Sequence, residues 1–223
     1  MLMARSGRQG VGQIILSLGA EAAYAPGTGV VTGAGVSSWP DWTGKGHPLL
    51  QGTDAARPAL QADGSILFNG TSHFLKTAAF TLNQPTTVVL VVKQVSWTTG
   101  EDLIDGETLL SGAIQTVTSS PLVRLRNGGV GGATVSPAVG VTGVLTAVWN
   151  GASSSLTLNR GTPTADNMAT DAMGGLTLGA GGGGAAGTFT NIQVYEAAIF
   201  PSALSAADRA RVASALMAAH GIT

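Results

Sequence analysis

The sequence predicts an all-β sandwich closed by one short C-terminal helix. Three observations support this class. Charged residues make up only 10% of the 223 residues and hydrophobic residues 44%, whereas a soluble domain usually has about a quarter charged residues. The chain has 33 glycines. Its apolar runs are short and separated by Gly, Pro, Asn and Asp clusters, which is the spacing of a sandwich. The length suits one domain.

The N-terminal segment, residues 1–12, has no apolar periodicity and is predicted to be an arm. The domain proper then spans residues 13–223. We expect Arg5 and Arg8 to serve assembly, with the arm lying either along its own domain or on a neighbouring subunit. These arginines and the apolar stretch Val11–Leu18 faintly resemble a secretory leader, but a glycine and a glutamine interrupt the stretch, so a leader is not favoured.

Nine segments have the pattern of β-strands. Thr86–Gln94 is β-branched almost throughout, which predicts a central strand covered on both faces. Thr146–Leu158 predicts a hairpin, because Asn150–Gly151 can supply the positive φ angles of a tight turn. The predicted strands are Gln13–Leu18, Ser65–Phe68, Thr86–Gln94, Thr108–Ser111, Leu122–Arg126, Gly143–Asn150, Ser154–Asn159, Leu176–Gly179 and Phe189–Phe200.

The last part of the chain contains a glycine tract and then a helix. Gly179–Gly187 is too poor in side chains to build core, so it is predicted to be a loop or a place where another backbone packs closely. Residues 205–220 predict the helix. Ser205 and Asp208 have a spacing like that of a capping box, and Gly221 suits the position after the helix. One apolar stripe would face the sandwich; it consists of Val212, Leu216 and Ala219.

Composition excludes several classes of function. The net charge is −1, from 11 basic and 12 acidic residues without a basic run, so nucleic acid is not expected as a partner. The absence of cysteine excludes disulfides and thiolate chemistry. No apolar run approaches the roughly 18 residues of a membrane span.

Three segments together resemble the concanavalin A-like lectin/glucanase superfamily, in particular its laminin G-like jelly-roll domains of the kind found in bacteriophage structural proteins. They are Val36–Leu50, Arg57–Leu75 and Asn191–Ile222. The residues that match the family pattern are Trp39, Asp41, Thr43, Gly44, Gly46 and His47, followed by Phe68, Asn69, Gly70 and Thr71. The resemblance implies the jelly-roll fold far more than it implies a function.

The sequence does not predict an enzyme. The glucanases of this superfamily carry their catalytic carboxylates at fixed spacing along one strand, and Glu101–Glu107 does not reproduce that spacing. Its Asp-Gly pair instead predicts a solvated loop. The three histidines, His47, His73 and His220, are isolated and suggest neither a catalytic triad nor a zinc site.

Binding residues are predicted at two kinds of position. Trp97 and Trp42 are the candidates for stacking on a glycan, although Trp42 and its neighbour Trp39 are better interpreted as core and turn residues. The resemblance to laminin G-like domains also makes a calcium site possible. The aspartates in predicted loops are Asp41, Asp54, Asp63, Asp102 and Asp105, of which Asp41, Asp102 and Asp105 are the calcium candidates. No other cofactor is predicted.

Taken together, the sequence favours a non-catalytic virion structural protein, either a capsid decoration or a tail or fibre component of a bacteriophage. Its partners would be other virion proteins or further copies of itself, and a host-cell glycan is a further candidate. The alternative is a carbohydrate-binding or adhesion module at a bacterial surface, located outside the cell. A glucanase-like hydrolase is the third hypothesis.

Overall fold

The computed structural model describes the backbone of residues 2–118 and 121–223, and the side chains from residue 10 onward within these ranges. In chain order the elements are α1 Leu2–Ser17, β1 Ala22–Tyr24, β2 Val31–Thr32, β3 Val36–Trp39, β4 Leu49–Leu50, β5 Ala59–Leu60, β6 Ile66–Leu67, β7 Leu75–Lys76, β8 Thr86–Gln94, β9 Asp102–Asp105, β10 Ala113–Thr116, β11 Val123–Asn127, β12 Val130–Val135, β13 Thr142–Trp149, β14 Ser154–Leu158, β15 Thr164–Asp166, β16 Thr177–Leu178, β17 Ile192–Phe200 and α2 Ala206–His220.

The strands form two sheets packed face to face. An eight-stranded sheet has the order β15-β14-β13-β8-β17-β6-β5, with β1 also paired to β17. A nine-stranded sheet has the order β12-β11-β10-β9-β16-β7-β4-β3-β2. Neighbouring strands are antiparallel, as in the pairs of β8 with β13 and with β17. The predicted all-β sandwich is therefore confirmed.

Strand β8 lies at the centre of the eight-stranded sheet and has both faces covered, as its β-branched sequence predicts. Val88 and Leu90 belong to the main core between the two sheets. Val89 and Val91 point to the opposite face and join a second apolar cluster with residues of both helices. This alternation follows from the two-residue period of a strand. The second cluster is the reason that the helices cover the outer face of this sheet.

The N-terminal helix α1 is a correction to the predicted secondary structure. Gln13–Leu18 was expected to be a strand, but residues 13–17 belong to α1. Val11 and Ile15, four residues apart, are buried in the second cluster. In a helix that spacing places both residues on one face, which packs against the outer face of the eight-stranded sheet. Glycines within α1 weaken its helix propensity, and packing against the sheet outweighs that cost.

The C-terminal helix agrees with its prediction. The Ser205 hydroxyl accepts a hydrogen bond from the Asp208 backbone N–H, and Gly221 adopts the left-handed conformation, with φ of 64°. Val212 and Leu216 are buried in the second cluster beside α1. Of the two helices in the described part of the chain, neither has the length and hydropathy needed to cross a membrane.

Two further local predictions need correction. Thr108–Ser111 is a loop, in which Leu110 has a φ of 63°; the strand follows it as β10. The hairpin of β13 and β14 forms as predicted, but its connection is a short 3-10 turn at Gly151–Ser153. Gly151 alone has a positive φ there, since Asn150 has a φ of −154°.

Candidate functional site

The outer face of the nine-stranded sheet carries a row of polar side chains. In this sheet Gln115 of β10 lies opposite Asp102 of β9 on one side and opposite Arg124 of β11 on the other. Directly paired residues share a face, and Arg126, two residues beyond Arg124, shares it too. Because Ile114 faces the main core, these four residues point away from it. We call Asp102, Gln115, Arg124 and Arg126 the polar row.

Asp102 is the unusual member of the polar row. Its side chain is fully buried, and neither carboxyl oxygen has a hydrogen-bond partner among the described residues. Burial, followed by the negative charge of nearby Asp105, raises the pKa of Asp102 to about 7, although Gln115 and the two arginines act in the opposite direction. A buried carboxyl group without donors is disfavoured as an anion, so Asp102 keeps its proton to a higher pH than an ordinary aspartate does.

The two arginines are held in place by a single oxygen. The Gln115 side-chain oxygen accepts hydrogen bonds from Arg124 Nη2 at 2.7 Å and from Arg126 Nη1 at 2.9 Å. The Nε atoms of both arginines are buried and have no partner in the described part of the chain. Burial, together with the positive charge of Arg126, lowers the pKa of Arg124. The polar row thus combines an unpaired carboxyl group with two unpaired guanidinium N–H groups.

Asp105 has the opposite character, although it lies on the same strand. Its Oδ1 accepts from the backbone N–H groups of Gly106 and Gly112, at 2.8 and 3.0 Å, and its Oδ2 accepts from those of Leu110 and Gly182. Burial raises the pKa of Asp105 above its ordinary value, and these four donors offset only part of that rise. Asp105 therefore acts as a structural carboxylate that joins the loop after β9 to the glycine tract.

The glycine tract covers the carboxyl groups of β9. A Cβ atom on Gly181 would lie 2.8 Å from Asp102 Oδ2 and 2.6 Å from the Leu109 side chain. A Cβ atom on Gly182 would overlap the backbone carbonyl group of Thr108. Glycine is the only residue that lets the backbone approach so closely. The prediction that Gly179–Gly187 is a loop where backbones pack closely is thus confirmed.

The structure does not bring the three calcium candidates together. The Asp41 carboxylate accepts from the backbone N–H groups of Ala23, Thr43 and His47 and from the Thr43 hydroxyl, so it organises its own loop. Burial is the largest single influence on the pKa of Asp41 and raises it. The hydrogen bonds together outweigh burial, so the pKa of Asp41 lies below its ordinary value. Within the described ranges, no three Asp, Glu or His side chains converge as a metal site would require.

The two tryptophans predicted to contact glycans are both half-buried. Trp97 packs against the main core, and its Nε1 donates to the Val117 carbonyl at 3.3 Å. Trp42 packs against the second cluster beside Gly12 of α1. Their role in glycan binding stays a prediction. The side chains of Arg5 and Arg8, predicted to serve assembly, lie outside the described residues.

Two features of the site differ from the sequence-based prediction. Glu101–Glu107 was expected to be a solvated loop, but most of it is the buried strand β9. The prediction was wrong because the Asp105-Gly106 pair marks only the end of the strand, and the residues before it are buried in the sheet. The site residues predicted from the sequence also did not include Gln115, Arg124 or Arg126. In β11, buried Val123 and Leu125 alternate with Arg124 and Arg126. This alternation was the sequence signal that could have indicated the two arginines.

Comparison with known proteins gives similarity of fold only. No protein-family model and no curated protein matches the sequence. Among solved structures, a Trypanosoma rangeli sialidase in complex with sialic acid is 13% identical, with a TM-score of 0.63 over 87% of this chain and 33% of that chain. A mutant of that sialidase displaying trans-sialidase activity has a TM-score of 0.61, with 11% identity over 88% of this chain and 33% of the other. A GH54 α-L-arabinofuranosidase soaked with a cyclic sulfate inhibitor has a TM-score of 0.61, with 11% identity over 90% and 59% of the respective chains.

These comparisons overturn two expectations from the sequence. The non-catalytic virion structural protein is wrong, because the structural neighbours are glycoside hydrolases and none of those named above is a virion protein. The same finding contradicts the expectation that the chain is not an enzyme. The chain spans about a third of the sialidases and 59% of the arabinofuranosidase. At this level of identity the likeness establishes the β-sandwich and nothing finer.

Proposed function

We propose that this domain is directed at carbohydrate and binds a glycan at the polar row. The observation that carries the proposal is the set of four buried polar atoms without partners in the described chain, namely both Asp102 carboxyl oxygens and the Nε atoms of Arg124 and Arg126. A sugar hydroxyl both donates and accepts a hydrogen bond. Two adjacent hydroxyls could therefore donate to Asp102 and accept from an arginine together.

Access to Asp102 requires movement of the glycine tract. Gly181 lies over Asp102, and the tract is fastened there by the hydrogen bond from Gly182 N to Asp105 and by that from Gly181 N to the Thr188 hydroxyl at 2.8 Å. The tract is also held by hydrogen bonds from Gly179 N to the Leu103 carbonyl and from Gly183 N to the Thr177 hydroxyl, so its displacement breaks several bonds. A glycan would displace Gly181 and replace its contact with Asp102 by hydroxyl groups.

The structural neighbours support a carbohydrate ligand. The solved sialidase holds sialic acid, and the GH54 enzyme is an arabinofuranosidase. The concanavalin A-like jelly roll that the sequence resembles is part of this proposal, as is a location outside the cell, where polysaccharides and surface glycans occur. Trp97 lies near the start of β9 and the end of β10, where its Nε1 donates to the Val117 carbonyl. We propose that it adds an aromatic surface against a second sugar unit.

The experiment is a glycan array followed by titration of the best ligand. We expect Asp102→Asn and Arg124→Gln each to weaken binding by about 10-fold, which is the usual loss when a charged hydrogen bond of about 1.4 kcal/mol is removed. Arg211→Gln, at an exposed position on α2, is the matched control and should bind like the wild type. A protein that binds no glycan, or binds it equally well in all three variants, would refute the proposal.

A hydrolytic role is the second candidate, and one observation favours it. A carboxyl group with a pKa of about 7 beside a second carboxyl group is the arrangement that keeps a general acid protonated at neutral pH. Asp102 would then donate its proton to the glycosidic oxygen as the C–O bond to the leaving sugar breaks, while a water molecule adds to the anomeric carbon and releases a proton to solvent. Asp105, whose oxygens hold four backbone N–H groups, would act through its charge.

Assays on the bound glycan separate the two roles. If the site is hydrolytic, the wild type releases reducing sugar and Asp102→Asn loses at least about 100-fold in rate, in line with the loss of general acid catalysis. Binding without any release of sugar by the wild type would rule out hydrolysis and leave the binding proposal intact.

A further inference from the structure

The opposite face of the molecule carries a cavity, which lies outside the site described above. It lies on the outer face of the eight-stranded sheet, at the edge of the helical cover, and has a volume of about 260 Å³. For scale, an engineered cavity of about 150 Å³ admits benzene. The space therefore suits a small organic molecule.

The floor of the cavity is a pair of threonines. Thr146 of β13 lies directly opposite Thr157 of β14, and Val89 of β8 lies on the other side of Thr146. Val89 is covered by the helices as part of the second cluster. The row of outward-facing residues thus changes from apolar to hydroxyl-bearing at the point where the helical cover stops and the cavity begins.

Thr146 presents an unsatisfied hydroxyl in this floor. The residue is only 2% exposed, and its Oγ1 has no hydrogen-bond partner among the residues that the structure describes. A buried hydroxyl without a partner costs stability and is uncommon in native proteins. Thr146 belongs to the lining of the cavity, so its hydroxyl is a polar group at the floor that lacks a partner in the described chain.

The walls of the cavity are positively charged. One wall is the turn after β14, which contributes Arg160 and Pro163, and the other is the first part of α2, which contributes Arg209. Arg209 Nη1 donates to the Leu204 carbonyl at 2.8 Å, which fixes the guanidinium group at the rim. The lining residues include no Asp or Glu. The N-terminal end of α2 adds the positive end of the helix dipole.

The turn that forms the first wall is held in a defined shape. Asn159 has a φ of 55°, and its side-chain oxygen accepts from the Val144 backbone N–H at 2.8 Å. The Gly161 N–H donates to the Leu158 carbonyl at 2.9 Å. These bonds order the turn before any ligand arrives, which reduces the entropic cost of binding.

From this geometry we infer that the cavity binds a small organic carboxylate, with its carboxylate between Arg160 and Arg209, its body against Pro163 and the α2 alanines, and a polar group on the Thr146 hydroxyl. Guanidinium groups favour carboxylates because their planar N–H groups match the two oxygens. This site is independent of the polar row and of the proposed glycan binding there.

The test is an NMR titration of ¹⁵N-labelled protein with two pairs of probes. Benzoate is compared with benzamide, and glucuronate with glucose. In each pair only the first compound carries a carboxylate, and one pair is aromatic whereas the other is a sugar. We expect one carboxylate, at concentrations up to about 10 mM, to shift the backbone signals of Thr146, Gly161 and Ala210. Its neutral analogue should leave them unchanged.

Two variants connect the binding to the cavity. Thr146→Val keeps the shape of the side chain and removes the hydroxyl, and Arg160→Gln removes an exposed charge. Each variant should bind the carboxylate probe at least about 5-fold more weakly than the wild type, which corresponds to about 1 kcal/mol. Arg211→Gln, on α2 but outside the lining, is the control for charge and should bind like the wild type. Circular dichroism verifies that each variant is folded. The inference is overturned if neither carboxylate shifts the cavity signals, if the neutral analogues bind equally, or if both cavity variants bind as the wild type does.

Discussion

At the scale of single residues, Asp102 and Asp105 show how neighbouring carboxyl groups on one strand acquire different roles. Asp105 receives four backbone N–H donors, which satisfy its oxygens and oppose the rise in pKa that burial causes. Asp102 receives none from the described residues, although it is equally buried. The difference comes from the loops that reach each side chain, and it leaves Asp102 as the carboxyl group without a hydrogen-bond partner in the described chain.

The raised pKa of Asp102 makes stability depend on pH. Its pKa of about 7 in the folded state lies above the ordinary value of 3.8, so the folded protein binds the extra proton between these values. Its contribution is favourable at about pH 4 and is lost as the pH rises through about 7.

We therefore predict that Asp102→Asn, which cannot ionise, stabilises the protein by about 2 to 4 kcal/mol at about pH 8 and much less at about pH 4. Urea denaturation at the two pH values measures this. Asp166→Asn, at an exposed position, should show no such gain. An unchanged free energy of unfolding for Asp102→Asn at about pH 8 would mean that the carboxyl group is solvated or paired.

The sequence could not distinguish these two aspartates. Both stand in the same short segment. The environment of Asp102 is set by Gln115, the arginines of β11 and Gly181, whereas that of Asp105 is set by backbone N–H groups, one of them from the distant Gly182. Spacing rules for catalytic carboxylates test only residues on one strand. The polar row is assembled across three strands, so its parts become neighbours only once the pairing of the sheet is known.

At the scale of elements, the contrast is between the hairpin of β13 and β14, which was predicted, and α1, which was not. The hairpin follows from local pattern and turn chemistry. The sequence of α1 is rich in glycine and gives little propensity for a helix. Its helical form depends on the apolar outer face of the eight-stranded sheet, which no local pattern within residues 2–17 reveals.

Adjacent residues of α1 provide a test of this assignment. Ile15 is fully buried, whereas Leu16 is 51% exposed. We predict that Ile15→Ala destabilises the protein by about 2 to 4 kcal/mol, as large-to-small changes in a core do. Leu16→Ala should change stability by less than about 0.5 kcal/mol, as surface substitutions do. Thermal or urea unfolding compares them; equal effects would show that α1 does not pack as described.

At the scale of the whole molecule, the scarcity of charge dominates solution behaviour. The net charge is −1 and the isoelectric point about 6.3, so little electrostatic repulsion separates molecules near neutral pH. We predict that solubility is lowest near about pH 6 and rises several-fold at about pH 9, because net charge favours solubility. Precipitation with polyethylene glycol across this range measures it. A solubility that is independent of pH would indicate that exposed apolar residues, not charge, limit it.

The position of the two helices also determines which face of the protein is exposed when it is attached to a support or a fusion partner. Helices α1 and α2 contact each other on the outer face of the eight-stranded sheet, so a tag or tether joined near either helix attaches on that side. The opposite surface, with Asp102 and its neighbours, would then point away from a bead, chip or fusion partner. Attachment through either helix therefore leaves the outer face of the nine-stranded sheet, where the polar row lies, on the side away from the support.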